Sequence, residues 1–304
     1  MTDSKAGILL MIGACSIWGL SPIYYKLLVH VPPLELLAHR TLWSLVVFAG
    51  LLAVQGRLGQ LRKALSTGRN VAILSFAAVM ISANWFLFIF SVQAGHVTET
   101  SLGYYMFPLV SVLLGVIVMK ERLALLQWAA VLLAAVGVVQ LTWGLGAAPW
   151  ISLVLASSFG LYGLVKRRLS TGPVVSVTGE VALLAGPAAL YLLWLHTHGA
   201  GVFGADVSTS GLLVFSGLLT ALPLVLFSAA AQKLSMATVG LMQYLNPTLQ
   251  FFCAVVLFGE ALPGYHVIAF GMIWLALALY SGTSLAQDRA RRKRLATSVA
   301  EAPL

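Results

Sequence analysis

The stretch HVTETSLGYYMFPLVSVLLGVIVMKE, residues 96–121, decides the fold. It reads as one membrane-spanning helix with a polar, broken entry. Gly103, Tyr104, Tyr105 and Pro108 crowd its front, a smooth apolar run follows, and Lys120 and Glu121 end it. The same plan returns at residues 235–260, SMATVGLMQYLNPTLQFFCAVVLFGE. An ungapped offset of 139 lays Leu102 on Leu241, Tyr105 on Tyr244, Pro108 on Pro247, Val116 on Val255 and Glu121 on Glu260. An apolar composition makes single identities common by chance. A shared Tyr-x-x-Pro followed thirteen residues later by Glu is harder to obtain that way. Matched, proline-interrupted hydrophobic segments in two halves of a chain are the sequence pointer to a transporter binding site.

Composition sets the class. Of 304 residues, 60% are hydrophobic and 9% charged, against about 25% charged in a soluble domain. The mean hydropathy is +0.95. The chain therefore reads as a polytopic membrane protein with no soluble domain of ordinary size outside its apolar segments. Cys15 and Cys253 both sit in apolar runs and read as small core residues, not a disulfide or metal site. The first apolar segment continues through Leu28 without a small-residue cleavage motif, so no cleavable signal peptide is expected.

Ten apolar segments follow, near 6–28, 34–54, 71–93, 101–119, 125–144, 149–165, 174–196, 211–231, 239–258 and 264–284. Most approach the roughly 20 residues a helix needs to cross a hydrocarbon core. The sixth is short, and Gly160 and Gly163 suit a bent helix. With both termini on one side, that side receives all but Lys26 and Arg40 of the 18 lysines and arginines. The positive-inside rule then puts both termini in the cytoplasm. The same distribution accounts for the net charge of +9 without a nucleic-acid partner. The basic tail at 285–304 reads as a solvated stop signal that could also touch anionic lipid.

The offset of 139 also lays Gln93 on Gln232 and Phe88 on Phe227, and ACSIWGLSPIYYK resembles ASSFGLYGLVKR once three residues are gapped. The expected architecture is an all-α membrane protein of ten transmembrane helices. They form two five-helix repeats, 1–147 and 148–284. Five is odd, so the repeats insert with opposite orientation.

Six runs resemble the EamA branch of the drug/metabolite transporter superfamily, and within it the RarD-like group. They are IWGLSPIYYK (17–26), VPPLELLAHRTLWS (31–44), NWFLFIF (84–90), GHVTETSLGYYMFPL (95–109), SFGLYGLVKR (158–167) and GLMQYLNPTLQF (240–251). The likeness keeps its order over nearly the whole chain. It implies ten helices in two inverted repeats around a central substrate cavity, and transport in a bacterial inner membrane. It gives class and fold, not substrate.

Ionisable residues inside membrane segments are costly and usually face a bundle interior or cavity. Glu35 and His39 lie four apart on one helix face and can pair, with Arg40 about 100° further round. Two readings stand: a substrate-charge contact or protonatable pair that couples transport to protons, or an outer-end cluster, with Glu99, that holds the helix to its neighbours. Glu180 is the other deep acid, near the repeat counterpart of Ala38 and His39. It either pairs with Arg40 across the repeat interface or is protonated. Trp18, Asn84, Trp85, Tyr104, Tyr105, Tyr162, Gln243, Tyr244 and Asn246 are the candidate cavity wall. Aromatic faces suit planar or apolar cargo and amides fix its orientation. The bland alternative is helix–helix glue, since amides in hydrocarbon need partners. Pro108 and Pro247 each remove an intrahelical bond and serve either as hinges or as static bends. Glu121 and Glu260 read as interfacial stop residues or salt-bridge partners.

The leading expectation is a secondary transporter that exports small metabolites or drugs, amino-acid-like, aromatic or amphipathic, by alternating access. It works as a monomer in the lipid bilayer, with the proton as candidate coupling ion and no cofactor. No nucleotide-binding P-loop is present. Neither HExxH nor GxSxG occurs, which weighs against an intramembrane enzyme. A non-transporting sensor or lipid-binding protein would explain the basic face but not the repeated polar breaks.

Overall fold

The computed structural model describes residues 3–120, 123–146, 148–166, 171–234, 239 and 242–300. The regular elements among them are helical: α1 (Asp3–Leu27), α2 (Pro33–Val54), the short α3 (Leu58–Ala64), α4 (Gly68–Ala94), α5 (Val97–Met119), α6 (Leu125–Leu145), α7 (Trp150–Lys166), α8 (Pro173–Thr197), α9 (Val207–Ala231), α10 (Leu245–Phe252) and α11 (Gly264–Ala300). A π-helical turn, Cys253–Leu257, continues α10.

Local chemistry explains several ends. Pro33 and Pro173 open α2 and α8 at the first helical position, where a missing N–H costs nothing. Gly95 closes α4 with φ 82°, the left-handed conformation that ends helices. Asp206 caps α9, accepting from the N–H groups of Ser208 and Thr209. Glu260, expected to be an interfacial stop residue or salt-bridge partner, caps α5. Its carboxylate accepts from the backbone of Val97 and Thr98 and from the Thr98 hydroxyl, at 2.7–2.8 Å. A carboxylate at a helix N-terminus also answers the helix dipole. Its repeat counterpart Glu121 lies outside the described residues.

Eight helices among the described residues are long and apolar enough to cross a membrane, and α7 and the α10–π-turn segment are shorter apolar helices. The surface confirms the solvent. Val207 is 91% and Leu125 85% exposed, while Glu35 (1%), Arg40 (7%) and Glu180 (1%) are buried. Apolar residues outside and charges inside is the arrangement of a multi-pass membrane protein.

The chain falls into two compact units. The first comprises residues up to Phe107 together with Ile151–Ala261. Its helices approach through glycine, as lipid-embedded helices do. A Cβ on Gly19 would stand 2.6 Å from Leu249 Cβ, so α1 crosses α10 there. One on Gly217 would stand 2.5 Å from the Trp43 carbonyl carbon, so α9 presses against α2. The second unit comprises Pro108–Trp150 and the chain from Leu262 onward. In it α6 and α11 pack antiparallel, Gly137 against Met272 and Gly144 against Tyr265. The ninth apolar segment, expected near 239–258 with a polar, broken entry, has turn residues Gln243 and Tyr244 before α10 and the π-helical turn after it. Pro247 stands in the first turn of α10, where no intrahelical bond is lost. Pro108, by contrast, lies inside α5.

Candidate substrate site

The first charge stands where four helices meet. Gly217 lets α9 touch α2 at Trp43, and three residues along each helix Thr220 reaches Arg40. The Arg40 Nε donates to Thr220 Oγ1 (2.8 Å) and Nη1 to the Tyr25 hydroxyl of α1 (2.7 Å). The guanidinium lies over the Trp85 ring of α4, 4.1 Å from its centroid. All these partners are neutral.

The second charge is closed. On α8, Glu180 Oε1 accepts from Lys166 Nζ (2.8 Å) and from Ser176 Oγ one turn earlier (3.0 Å), and Oε2 accepts from the Tyr162 hydroxyl (3.0 Å). Lys166 also donates to the Tyr162 oxygen (2.8 Å), so α7 delivers both partners from adjacent turns. The expected pairing of Glu180 with Arg40 does not form. Helices α2 and α8 run antiparallel, Phe48 packing on Val177 and Val181 and Leu52 on Val175. Glu180 is therefore level with Phe48, eight residues or roughly 12 Å along the axis from Arg40. Lys166, at the end of α7, is the partner within reach. Arg40 and Glu180 nevertheless hold equal positions, each seven residues after its helix's opening proline.

Aromatic rings connect the two charges. Tyr25 meets Phe88 edge-on (5.7 Å between centroids), Phe88 meets Tyr104 (5.8 Å), Tyr104 meets Phe159 (6.1 Å) and Phe159 stacks on Tyr162 (5.9 Å). Beside this ladder Asn84 is fully committed. Its amide nitrogen donates to the Leu155 carbonyl and to Ser158 Oγ, both at 3.0 Å, and its oxygen accepts from the Tyr104 hydroxyl (3.0 Å). Asn84 thus ties α4 to α5 and α7.

The repeated motif makes a further cluster. The Tyr105 and Thr248 hydroxyls share a 2.6 Å bond, Tyr105 stacks on Tyr244 (6.5 Å), and Ser101 donates to the Pro247 carbonyl (2.8 Å). Asn246 Oδ1 accepts from Gln250 one turn on (2.9 Å), and Gln243 is half-buried in the turn before α10. Trp18 stands apart, tilted against Phe227 at 5.8 Å.

Glu35 and His39 do not pair with each other. Glu35 Oε1 accepts the Val202 N–H (2.8 Å), and His39 stacks on Phe203 (4.8 Å), so together they hold the loop between α8 and α9. Glu35 Oε2 and His39 Nε2 are buried without a hydrogen-bond partner among the described residues. Glu99 pairs with His96 (3.0 Å), three residues away.

Sequence reasoning missed Tyr25, Phe88, Phe159, Lys166, Thr220 and Thr248. Lys166 closes an apolar run and reads as an interface anchor. Thr220 is a lone hydroxyl in a helix, a type that usually bonds its own backbone, as Thr220 also does to Ser216.

Buried charges, glycine-mediated crossings and an apolar exterior define a multi-pass helical membrane protein with a polar interior. The chain belongs to the EamA-like transporter family, whose model matches twice, over residues 5–143 and 147–282. It is 43% identical to "Protein RarD" of Streptomyces exfoliatus, over 96% of this chain and 93% of that one. It is 39% identical to an "Uncharacterized transporter" of Vibrio cholerae, over 96% and 97%. A solved crystal structure with 20% identity shares the fold at a TM-score of 0.59, covering 91% of this chain and 97% of that one.

Proposed function

We propose that this chain is a secondary transporter that exports small amino-acid-like, aromatic or amphipathic metabolites or drugs by alternating access. In this reading α7 and the α10–π-turn segment join the eight longer helices to make ten spans. They form two inverted repeats, 1–147 and 148–284, in a bacterial inner membrane, with both termini and the 285–304 tail in the cytoplasm. The twofold family match and the equal positions of Arg40 and Glu180 support the repeat. One observation carries the functional reading: a ladder of rings joins two buried charges inside a molecule whose exterior is apolar. Packing alone requires no charges at either end of such a ladder, and burying them is costly.

Trp18, Trp85, Tyr105, Tyr162, Gln243, Tyr244 and Asn246 remain the proposed cargo wall, with Asn84 and Tyr104 bracing it from behind. Pro108 and Pro247 are the proposed hinge positions, Glu35 and His39 the candidates for proton coupling, and Glu180 a brace closed by Lys166. The test is counterflow. Purified protein in liposomes preloaded with an unlabelled amino acid, aromatic metabolite or chloramphenicol should accumulate the labelled compound saturably, and Tyr105→Ala or Tyr244→Ala should reduce this. Ligand-induced thermal stabilisation without counterflow for any compound would replace the transporter by a binding protein.

A further inference from the structure

The proposed transporter carries a cation that no acid among the described residues neutralises. Arg40 is buried, and of the five N–H donors of a guanidinium only two have protein partners among the described residues, the hydroxyls of Tyr25 and Thr220. A buried charge is tolerated when it is paired. Every acid whose side chain is described has another commitment. Glu35 holds the Val202 N–H, Glu99 holds His96, Glu180 holds Lys166, and Asp206 and Glu260 cap α9 and α5. At the same helical position the acid has a counter-ion and, among the described residues, the base has none.

We infer that Arg40 is the anchor for a carboxylate on the cargo, so that the transported class is a monoanion with one carboxylate on an aromatic or apolar body. This rests on the transporter reading above. Three features select that chemistry. Bonds to Nε and Nη1 from different helices, with Trp85 beneath, fix the guanidinium plane in advance, and a fixed planar fork matches a carboxylate in two parallel hydrogen bonds. The charge is single. Among the described residues no second lysine or arginine bonds or stacks on Tyr25, Thr220 or Trp85, so a doubly charged phosphate would be only half neutralised. The surroundings are apolar rings, with Trp85 and Tyr104 half-buried beside Phe88, and they suit the body of such a molecule. Inside this ring-lined setting the pair is worth more than in water, because the effective dielectric is lower.

The experiment uses full-length protein in detergent and matched probes that differ only in charge: indole-3-propionate and its primary amide, 3-phenylpropionate and its primary amide, and benzylphosphonate, with sodium chloride and sodium acetate as ion controls. Thermal-shift titrations are read for wild type, Arg40→Gln, Arg40→Lys and Thr220→Val. The expected result is that each carboxylate stabilises wild type with an apparent Kd about ten- to a hundredfold below that of its amide. Arg40→Gln erases the difference, while Arg40→Lys and Thr220→Val keep part of it. Benzylphosphonate binds more weakly than the carboxylates, and acetate alone gives no saturable shift. Amides that bind as well as carboxylates, or no stabilisation by any carboxylate, overturn the inference. So does a carboxylate preference that survives Arg40→Gln. Should Arg40→Gln not fold, the wild-type pairs and Thr220→Val decide alone: unchanged carboxylate affinity in Thr220→Val together with equal binding of amides overturns it. Counterflow of a neutral compound run in parallel separates the two readings. If it persists while carboxylates are ignored, the transporter stands and the anion site falls.

Discussion

Arg40 and Glu180 occupy the same station in two helices that each open on proline, yet the chain treats them in opposite ways. Around Glu180 it builds a closed ion pair with Lys166 and fastens it with Tyr162 and Ser176. Around Arg40 it places two neutral hydroxyls and an indole face. A closed pair is a brace between α7 and α8 that has little affinity left to offer. An open cation is poor as a brace and well suited to hold cargo that must later leave. Near-repeats can thus divide structural and functional duty by changing what surrounds a charge.

The largest expected effect comes from opening the closed end. Lys166→Met leaves the Glu180 carboxylate buried against one phenol and one hydroxyl. Removing one partner of a buried pair costs about 3–5 kcal/mol, so a large drop in melting temperature in detergent is expected. Adding Glu180→Gln should recover most of it. If the single change were harmless, the ion pair would not be the brace described, and the contrast with Arg40 would lose its structural half. By comparison Arg40→Gln should lower melting less than Lys166→Met, since the two hydroxyl bonds it breaks are offset by removal of a buried cation whose desolvation no described counter-ion repays.

Next is the contact that delivers Thr220 to Arg40. Gly217→Ala places a methyl against the Trp43 backbone, which cannot move aside as a flexible side chain would. Overpacking costs about 1–3 kcal/mol. The α2–α9 crossing should loosen, lowering melting temperature and weakening any ligand held at Arg40 while leaving the Lys166–Glu180 end intact. Equal damage at both ends, read as Lys166→Met no longer adding to it, would show that the two stations are one cooperative unit. Tyr104→Phe is milder. It removes the hydroxyl bond to Asn84 but keeps the ring between Phe88 and Phe159, so a loss of about 1 kcal/mol is expected with counterflow retained.

Much of this was legible in the sequence. Eight of the apolar segments match the membrane-capable spans within a few residues, because a hydrocarbon solvent demands length and composition that a sequence states openly. Arg40 and Glu180 stood out for the same reason. Their partners did not, because hydropathy says that a helix is buried but not which neighbour faces it. Asn84 shows the limit most clearly. Its sequence setting fitted cargo binding as well as glue, and only the positions of the Leu155 carbonyl, Ser158 and Tyr104 reveal that its amide is used up. The break after Phe252 was hidden likewise, since nothing in CAVVL distinguishes a π-helical turn from an α-helix.

The smallest effect tests whether the Arg40 end depends on how α9 begins. Hydrogen bonds from the Thr209 side chain and backbone and from the Ser208 backbone hold the Asp206 carboxyl below the usual carboxylate range. A group with a depressed folded pKa contributes stability above its unfolded value, about 3.9 for Asp, and loses that contribution as pH falls through the lower folded value. Asp206→Asn keeps a capping side chain but cannot titrate. Wild type should therefore melt slightly higher than the variant at pH 6, and the gap should close as pH drops below about 4, the unfolded value. Other carboxylates titrate in both proteins and cancel in the difference. Because α9 carries Thr220, any ligand preference lost with the cap would be lost at Arg40, whereas the Lys166–Glu180 pair belongs to α7 and α8. A gap that stays constant with pH would assign the cap's contribution to its geometry alone and detach the charge on Asp206 from the Arg40 site.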